Sequence, residues 1–111
     1  MTLQATEAEC AAGATAARVS LSDIEKAISA RYDFTAEKAL TALGAPIDDS
    51  LRLLSICILV VKNGFSVIGK SAPASAGNFN ADLGRKLAYE DAIRQLWPLM
   101  GFALRERLSQ P

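Results

Sequence analysis

Apolar residues recur along this chain in different rhythms, and each rhythm predicts a different element. From Asn78 onward, Phe79, Leu83, Leu87, Ile93, Leu96, Trp97 and Met100 return every three or four residues, the spacing of one helix face. Asn78 or Asn80 is placed to cap that helix, and Asp82 falls in its first turn, where the dipole favours negative charge. Gly84 inside it costs about 1 kcal/mol against alanine, which predicts close backbone approach against a strand. Pro98 has no N–H to donate and is expected to end or kink the helix near Trp97, leaving a last short helix over Leu99 to Leu108.

Leu51 to Lys62 has another pattern, a nearly continuous apolar run that ends on Asn63-Gly64. Asn-Gly is the strongest short hairpin signal, because both central positions of the favoured tight turn need positive φ. The expected strands are 54–62 and 65–71, with Lys62 opposite Phe65, Val60 opposite Val67 and Ile58 opposite Gly69. Ile56, Ile58 and Val60 alternate with Cys57, Leu59 and Val61, so both faces of the first strand are apolar. One helix on a two-stranded hairpin covers only one face, and the hairpin is expected to meet another subunit.

Upstream, Ser22 and Glu25 have the spacing of a capping box, and Ile24, Ala27 and Ile28 follow at helical intervals, predicting a short helix over about 22–31. Thr35 can cap a second short helix through Leu43, which Gly44 and Pro46 stop, leaving Ala45 to Ser50 as a loop. The first seventeen residues have almost no large apolar side chains and read as a disordered leader, followed by a single domain over 18–108 and a tail over 109–111. The fold class is α+β: short N-terminal helices, one β-hairpin, a long C-terminal helix with a proline kink, and a sheet completed by oligomerisation.

Composition narrows the chemistry. With no histidine among 111 residues, a Cys/His zinc site, a Ser-His-Asp triad and an imidazole base are all excluded. Asp48-Asp49 and Glu90-Asp91 are adjacent carboxylates, which do not face one another on a helix, and they read as solvated charge. Twelve basic and twelve acidic residues cancel, which speaks against an extended nucleic-acid or acidic membrane surface as partner. The balance is uneven, however: residues 62–111 carry seven basic and four acidic side chains, a net of plus three that suits a small anion. The longest apolar run, Ile56 to Val61, is far below the roughly 20 residues of a membrane helix. Without a basic cluster and apolar stretch at its start, the chain is expected in the cytoplasm. Cys10 and Cys57 read as free thiols, Cys57 as a buried inert one.

Several blocks taken together carry a resemblance: Phe34-Thr35-Ala36, the run from Cys57 to Ala72, Asn78 to Ala88, Ile93 to Leu99, and Leu104 to Leu108. In this order they resemble a family of small tailed-phage and prophage proteins named for gene product forty-nine of one phage and gene product sixty-six of another. The likeness covers roughly 18–108. The chain departs from the family pattern at Met100-Gly101-Phe102, at Asn80 and over Ala74 to Gly77, each time losing negative charge. The resemblance implies a phage or prophage origin and an accessory role in the host cytoplasm, with no particular activity.

The candidate ligand site is the loop from Ser71 to Asn80, rich in Gly, Ser and Ala and leading into a helix start that offers free N–H groups and a positive dipole end. Ser71 and Asn78 would line it, Phe65 or Phe79 would stack on a base, and Arg85 and Lys86 would hold phosphate. Arg105, together with Arg107, would join them if it lines a subunit interface. The loop lacks the spacing of a phosphate-binding P-loop. The expected function is therefore non-enzymatic binding of a small nucleotide-like anion by a homo-oligomer, with no cofactor and no metal, sequestering a host immune signal. The alternative is a protein-interaction module that inhibits or redirects a host protein through the hairpin or through Trp97, Leu99, Met100 and Phe102. Arg94, four residues after Glu90, reads as half of an ordinary surface pair.

Overall fold

The computed structural model describes residues 2–13 and 17–111. Four helices and three strands follow in the order α1 (Leu3–Gly13), α2 (Leu21–Ala27), β1 (Ile28–Thr35), α3 (Ala36–Leu43), β2 (Ser55–Val61), β3 (Ser66–Ser71) and α4 (Ala81–Leu108), with 3-10 turns at Asp49–Leu53 and Ala76–Asn78. The strands form one antiparallel sheet in the order β1-β2-β3. The α+β class stands, and the sheet has one more strand than the hairpin alone.

That extra strand corrects the reading of 22–31 as a helix. The capping box lies two residues earlier: Ser20 Oγ accepts from Asp23 N–H at 3.0 Å, and the Asp23 carboxylate accepts from Ser20 N–H at 2.9 Å. The helix ends at Ala27, and from Ile28 the polar and apolar residues alternate singly: Ala30, Tyr32 and Phe34 share one face of β1, Arg31 and Asp33 the other. Pairing with β2 from Ile28 to Thr35, interrupted only by a bulge at Ser29, overrides the weaker helical pattern. The disordered-leader reading is corrected over Leu3–Gly13, where α1 is helical and Leu3 is buried in the core with Leu21 and Ile24; Met1 and 14–16 lie outside the described residues.

The hairpin is present, but one residue out of the expected register. Val61 N–H donates to Phe65 O at 2.9 Å and Gly64 N–H to Val61 O at 2.8 Å, so the loop has three residues, Lys62, Asn63 and Gly64. Only Gly64, at φ +90°, is left-handed here, and Asn63 instead uses its side-chain oxygen to accept Phe65 N–H at 2.9 Å. This is the turn in which a single left-handed glycine follows a right-handed turn. The shift places Leu59 opposite Val67, Cys57 opposite Gly69 and Ile58 opposite Ile68. Leu59, Cys57, Val67 and Gly69 therefore share the covered face, whereas Ile68 is turned outward and 58 % exposed.

Helix α4 lies over that face. Ala88, Ala92, Ile93 and Leu96 meet Cys57, Leu59 and Val67, and Leu21 and Ile24 of α2 complete the core. The helix is capped by Asn80, whose side chain accepts Leu83 N–H at 3.1 Å. It runs through Pro98 as one element, so Leu99 to Leu108 is its continuation and not a separate helix. A Cβ on Gly84 would stand 2.5 Å from Ser55 Oγ on β2, the close approach to a strand that its place in the helix predicts. Glu90 is 6 % exposed, and among the described residues no ion pair joins it to Arg94, which corrects their reading as a surface pair.

Among the described residues no helix lies over the second face of the sheet. Tyr32 and Ile68 are exposed there, and Ile56, Ile58 and Val60 half-buried. With one sheet and one helical layer the molecule measures 55 × 29 × 17 Å, and its Cα radius of gyration is 16.8 Å. A compact chain of this length has about 13 Å.

Candidate functional site

The start of α4, the end of β1 and the 3-10 turn before β2 surround a cleft of about 350 Å³. Three local stops shape it. Thr35 ends β1 and caps α3 by accepting Lys38 N–H at 3.2 Å, which brings Glu37 and Lys38 to the rim. Asp48 accepts from Ser50 N–H at 2.9 Å and from its hydroxyl at 2.6 Å, starting the 3-10 turn that brings Arg52 to the rim of the cleft. Asn80 starts α4, so that Ala81 and Arg85 face the same opening as Phe79.

The wall is partly aromatic and partly charged. Phe34 and Phe79 contribute rings, and Ile56, the cross-strand partner of Phe34, extends the apolar surface. Arg52 is held by Glu37 and Asp49, each at 3.1 Å, and Asp33 by Arg31 at 2.9 Å. The Arg52 guanidinium is raised above its ordinary pKa chiefly by its hydrogen bond to Asp49. Lys38 and Arg85 make no ion pair among the described residues. The cleft thus offers two rings, two cations outside ion pairs, and the first turn of a 28-residue helix.

The residues singled out from the sequence are not all brought together. Phe79 and Arg85 line this cleft; Ser71 stands at the same end of the sheet, opposite Ser55, and Asn78 closes the preceding 3-10 turn, but neither is on the wall. Lys86 turns with Arg85, Arg31, Tyr89 and Glu90 toward a second groove of about 280 Å³ beside α1 and α2. Phe65 lies at the far end of the hairpin, on an apolar groove of about 380 Å³ with Val61, Leu96, Leu99 and Met100. Arg105 is exposed in the last turn of α4, about 30 Å along the helix from Arg85, where it complements the negative helix end.

Phe34, Lys38 and Arg52 were not among the sequence candidates. The single alternation of Ala30, Tyr32 and Phe34 with Arg31, Asp33 and Thr35 is the signal that places Phe34 on a strand face. Lys38 and Arg52 have no comparable local signal, because only the folding of α3 and the 3-10 turn over the sheet end brings them to Arg85.

Among the described residues no helix is long and apolar enough to cross a membrane, and no three Cys, Asp or Glu side chains converge as metal ligands. Comparison with curated proteins and with solved structures gives no match. Residues 19–108, which include all three strands and all of α2, α3 and α4, match the phage protein (N4 Gp49/phage Sf6 gene 66) family, and the chain belongs to it.

Proposed function

We propose that this phage accessory protein is a non-enzymatic binding module that acts as a homo-oligomer in the host cytoplasm. It holds a small anionic, nucleotide-like ligand in the cleft at the start of α4 and withdraws it from the host, an immune signal being the expected cargo. One observation carries the reading: Phe34 and Phe79 share a cleft with Lys38, Arg85 and the first turn of α4. Rings take the planar part of such a ligand, and cations with helix N–H groups take its phosphate. A cleft of about 350 Å³ is in the size range of small-ligand sites, roughly 300–1,000 Å³. The cleft carboxylates Asp33 and Glu37 are bound to Arg31 and Arg52, an arrangement suited to positioning and not to proton transfer.

Native mass spectrometry of the protein purified from bacterial lysate tests this directly. An oligomer with added mass of nucleotide size, lost on denaturation, is the expected result. Lys38→Ala and Arg85→Ala should each weaken retention at least tenfold with little change in melting temperature. Unchanged retention in both variants would remove the cleft from the reading.

A second reading rests on the apolar groove at the hairpin tip. Phe65 is 55 % exposed beside Leu99, and Phe102, further along α4, is 68 % exposed. Exposed apolar residues at this density suit a protein partner that the module inhibits or redirects. A bare oligomer in the same spectrum would move the weight there.

A further inference from the structure

We propose that two copies of this chain join edge to edge along β1, antiparallel about a two-fold axis through Tyr32, into one continuous sheet twice as wide. This deepens the oligomeric part of the reading above, on which it rests, and does not depend on the ligand.

The two edges of the sheet are treated differently by the rest of the chain. At β3 the outward groups are taken: Lys70 N–H donates to Asp91 Oδ2 at 2.9 Å, and Ile68 O accepts from Gln95 Nε2 at 2.6 Å, both from α4. At β1 no side chain of the described residues plays that part. Lys62 N–H donates to Ala27 O and Ala36 N–H to Leu54 O, both at 3.0 Å, which shows that the even-numbered residues of β2 bond toward β1. Tyr32 is therefore bonded inward to Ile58, and Arg31 and Asp33 direct their N–H and C=O groups outward. Those groups have no partner among the described residues. An open edge of this kind is a template for another strand.

Charge then selects both the partner and the register. Outward residues must pair with outward residues, so a two-fold axis passes through Arg31, Tyr32 or Asp33 if most of the strand is to pair. An axis through Arg31 puts Arg31 opposite its own copy, and one through Asp33 does the same with the carboxylates; like charges directly opposite are unfavourable. The axis through Tyr32 sets each Arg31 opposite an Asp33 of the other copy, Ala30 opposite Phe34, and Tyr32 opposite Tyr32. Arg31 is already oriented for this, with its guanidinium 4.0 Å from the Tyr89 ring centre and 2.9 Å from Asp33. The edge is complementary to a second copy of itself.

Size points the same way. The surface of 7406 Å² exceeds the roughly 5,900 Å² expected of a compact 11.8-kDa monomer. The difference, roughly 1,500 Å² per chain, is larger than the roughly 800 Å² that one standard interface covers on each partner, so the chain has surface to spare for such a contact.

Cross-linking tests the axis. In the full chain carrying Cys10→Ser, Tyr32→Cys would bring two thiols to positions whose Cα atoms are about 4.5 Å apart, within disulfide range. Mild oxidation should give a covalent dimer in most of the protein. Ile68→Cys, at a site equally exposed at 58 % but on the other edge, should not. Arg31→Asp and Asp33→Arg should each weaken the dimer at least tenfold by sedimentation, and the double variant should restore it. A sedimenting monomer, or cross-linking of Tyr32→Cys no greater than that of Ile68→Cys, would overturn the proposal. A dimer that cross-links but retains no ligand supports the edge while counting against the ligand reading, so the two fail separately.

Discussion

Gly69 of β3 stands against the backbone of α4 at Ala92. A Cβ built on it would lie 2.5 Å from Ala92 N and 2.9 Å from Ala92 Cβ, and would meet the carbonyl of Ala88 as well. The Ala88 carbonyl and Ala92 N belong to the backbone of the main helix and the Ala92 Cβ is fixed to it, so no rotamer change can move them. Gly69→Ala should therefore destabilise the fold at or above the upper end of the ~1–3 kcal/mol usual for overpacking. A denaturation midpoint unchanged from that of the parent would show that α4 sits further from the sheet.

Gly84 meets a softer neighbour. Its added Cβ would strike Ser55 Oγ at 2.5 Å but reach Ser55 Cβ at only 3.4 Å, so removing the hydroxyl makes room. Alanine at 84 also gains about 1 kcal/mol of helix propensity. Gly84→Ala alone should be near neutral or destabilising, whereas Gly84→Ala with Ser55→Ala should be more stable than Ser55→Ala. A double-mutant cycle should show coupling of at least ~0.5 kcal/mol, and additive effects would refute the contact.

These two glycines differ in how far local sequence reveals their surroundings. Gly84 interrupts a clear helical rhythm, and that local conflict pointed to a strand behind it. Asn63-Gly64 suggests a two-residue turn, which sets Gly69 opposite Ile58; only the φ of +90° at Gly64 and the Asn63 side-chain bond distinguish the three-residue loop. β1 is hidden in the local pattern because Ile24, Ala27 and Ile28 keep helical spacing just as the strand begins, and pairing with β2 is a non-local interaction. The same holds for the cleft. Phe79 and Arg85 belong to one segment and were legible together, but Phe34, Lys38 and Arg52 reach them only through sheet pairing and the turns that follow.

The two thiols should differ sharply in reactivity. Cys57 is fully buried at the centre of the sheet, and burial, with the nearby Asp33 carboxylate second, pushes its pKa up to about 11. Cys10 is exposed on α1. At pH 8 a thiol reagent should modify one cysteine per native chain, identified as Cys10 by peptide mapping, and the second only after unfolding. Rapid labelling of Cys57 in the folded protein would mean that α4 opens from the sheet.

Acid should loosen the junction between α1 and α2 before the rest of the fold. The Glu7 carboxylate accepts from Arg18 Nη2 at 2.6 Å and from Leu21 N–H at 2.9 Å, and these bonds, the Arg18 one foremost, hold its pKa below the ordinary value. Asp23 is lowered too, by its bonds to Ser20. A carboxylate with a depressed folded pKa stabilises fully above its unfolded pKa, about 4 for these groups, and loses that contribution as pH falls through the folded value. The single tryptophan reports on this junction, because Trp97 Nε1 donates to Val19 O at 3.1 Å. Its emission should shift to longer wavelength as pH drops below about 4, and Glu7→Gln should show part of that shift already at pH 7. In the Glu7→Gln, Asp23→Asn double variant the acid transition at Trp97 should be lost. A transition of the same size and midpoint in the double variant would assign it to other carboxylates and leave the Glu7 anchor without a role.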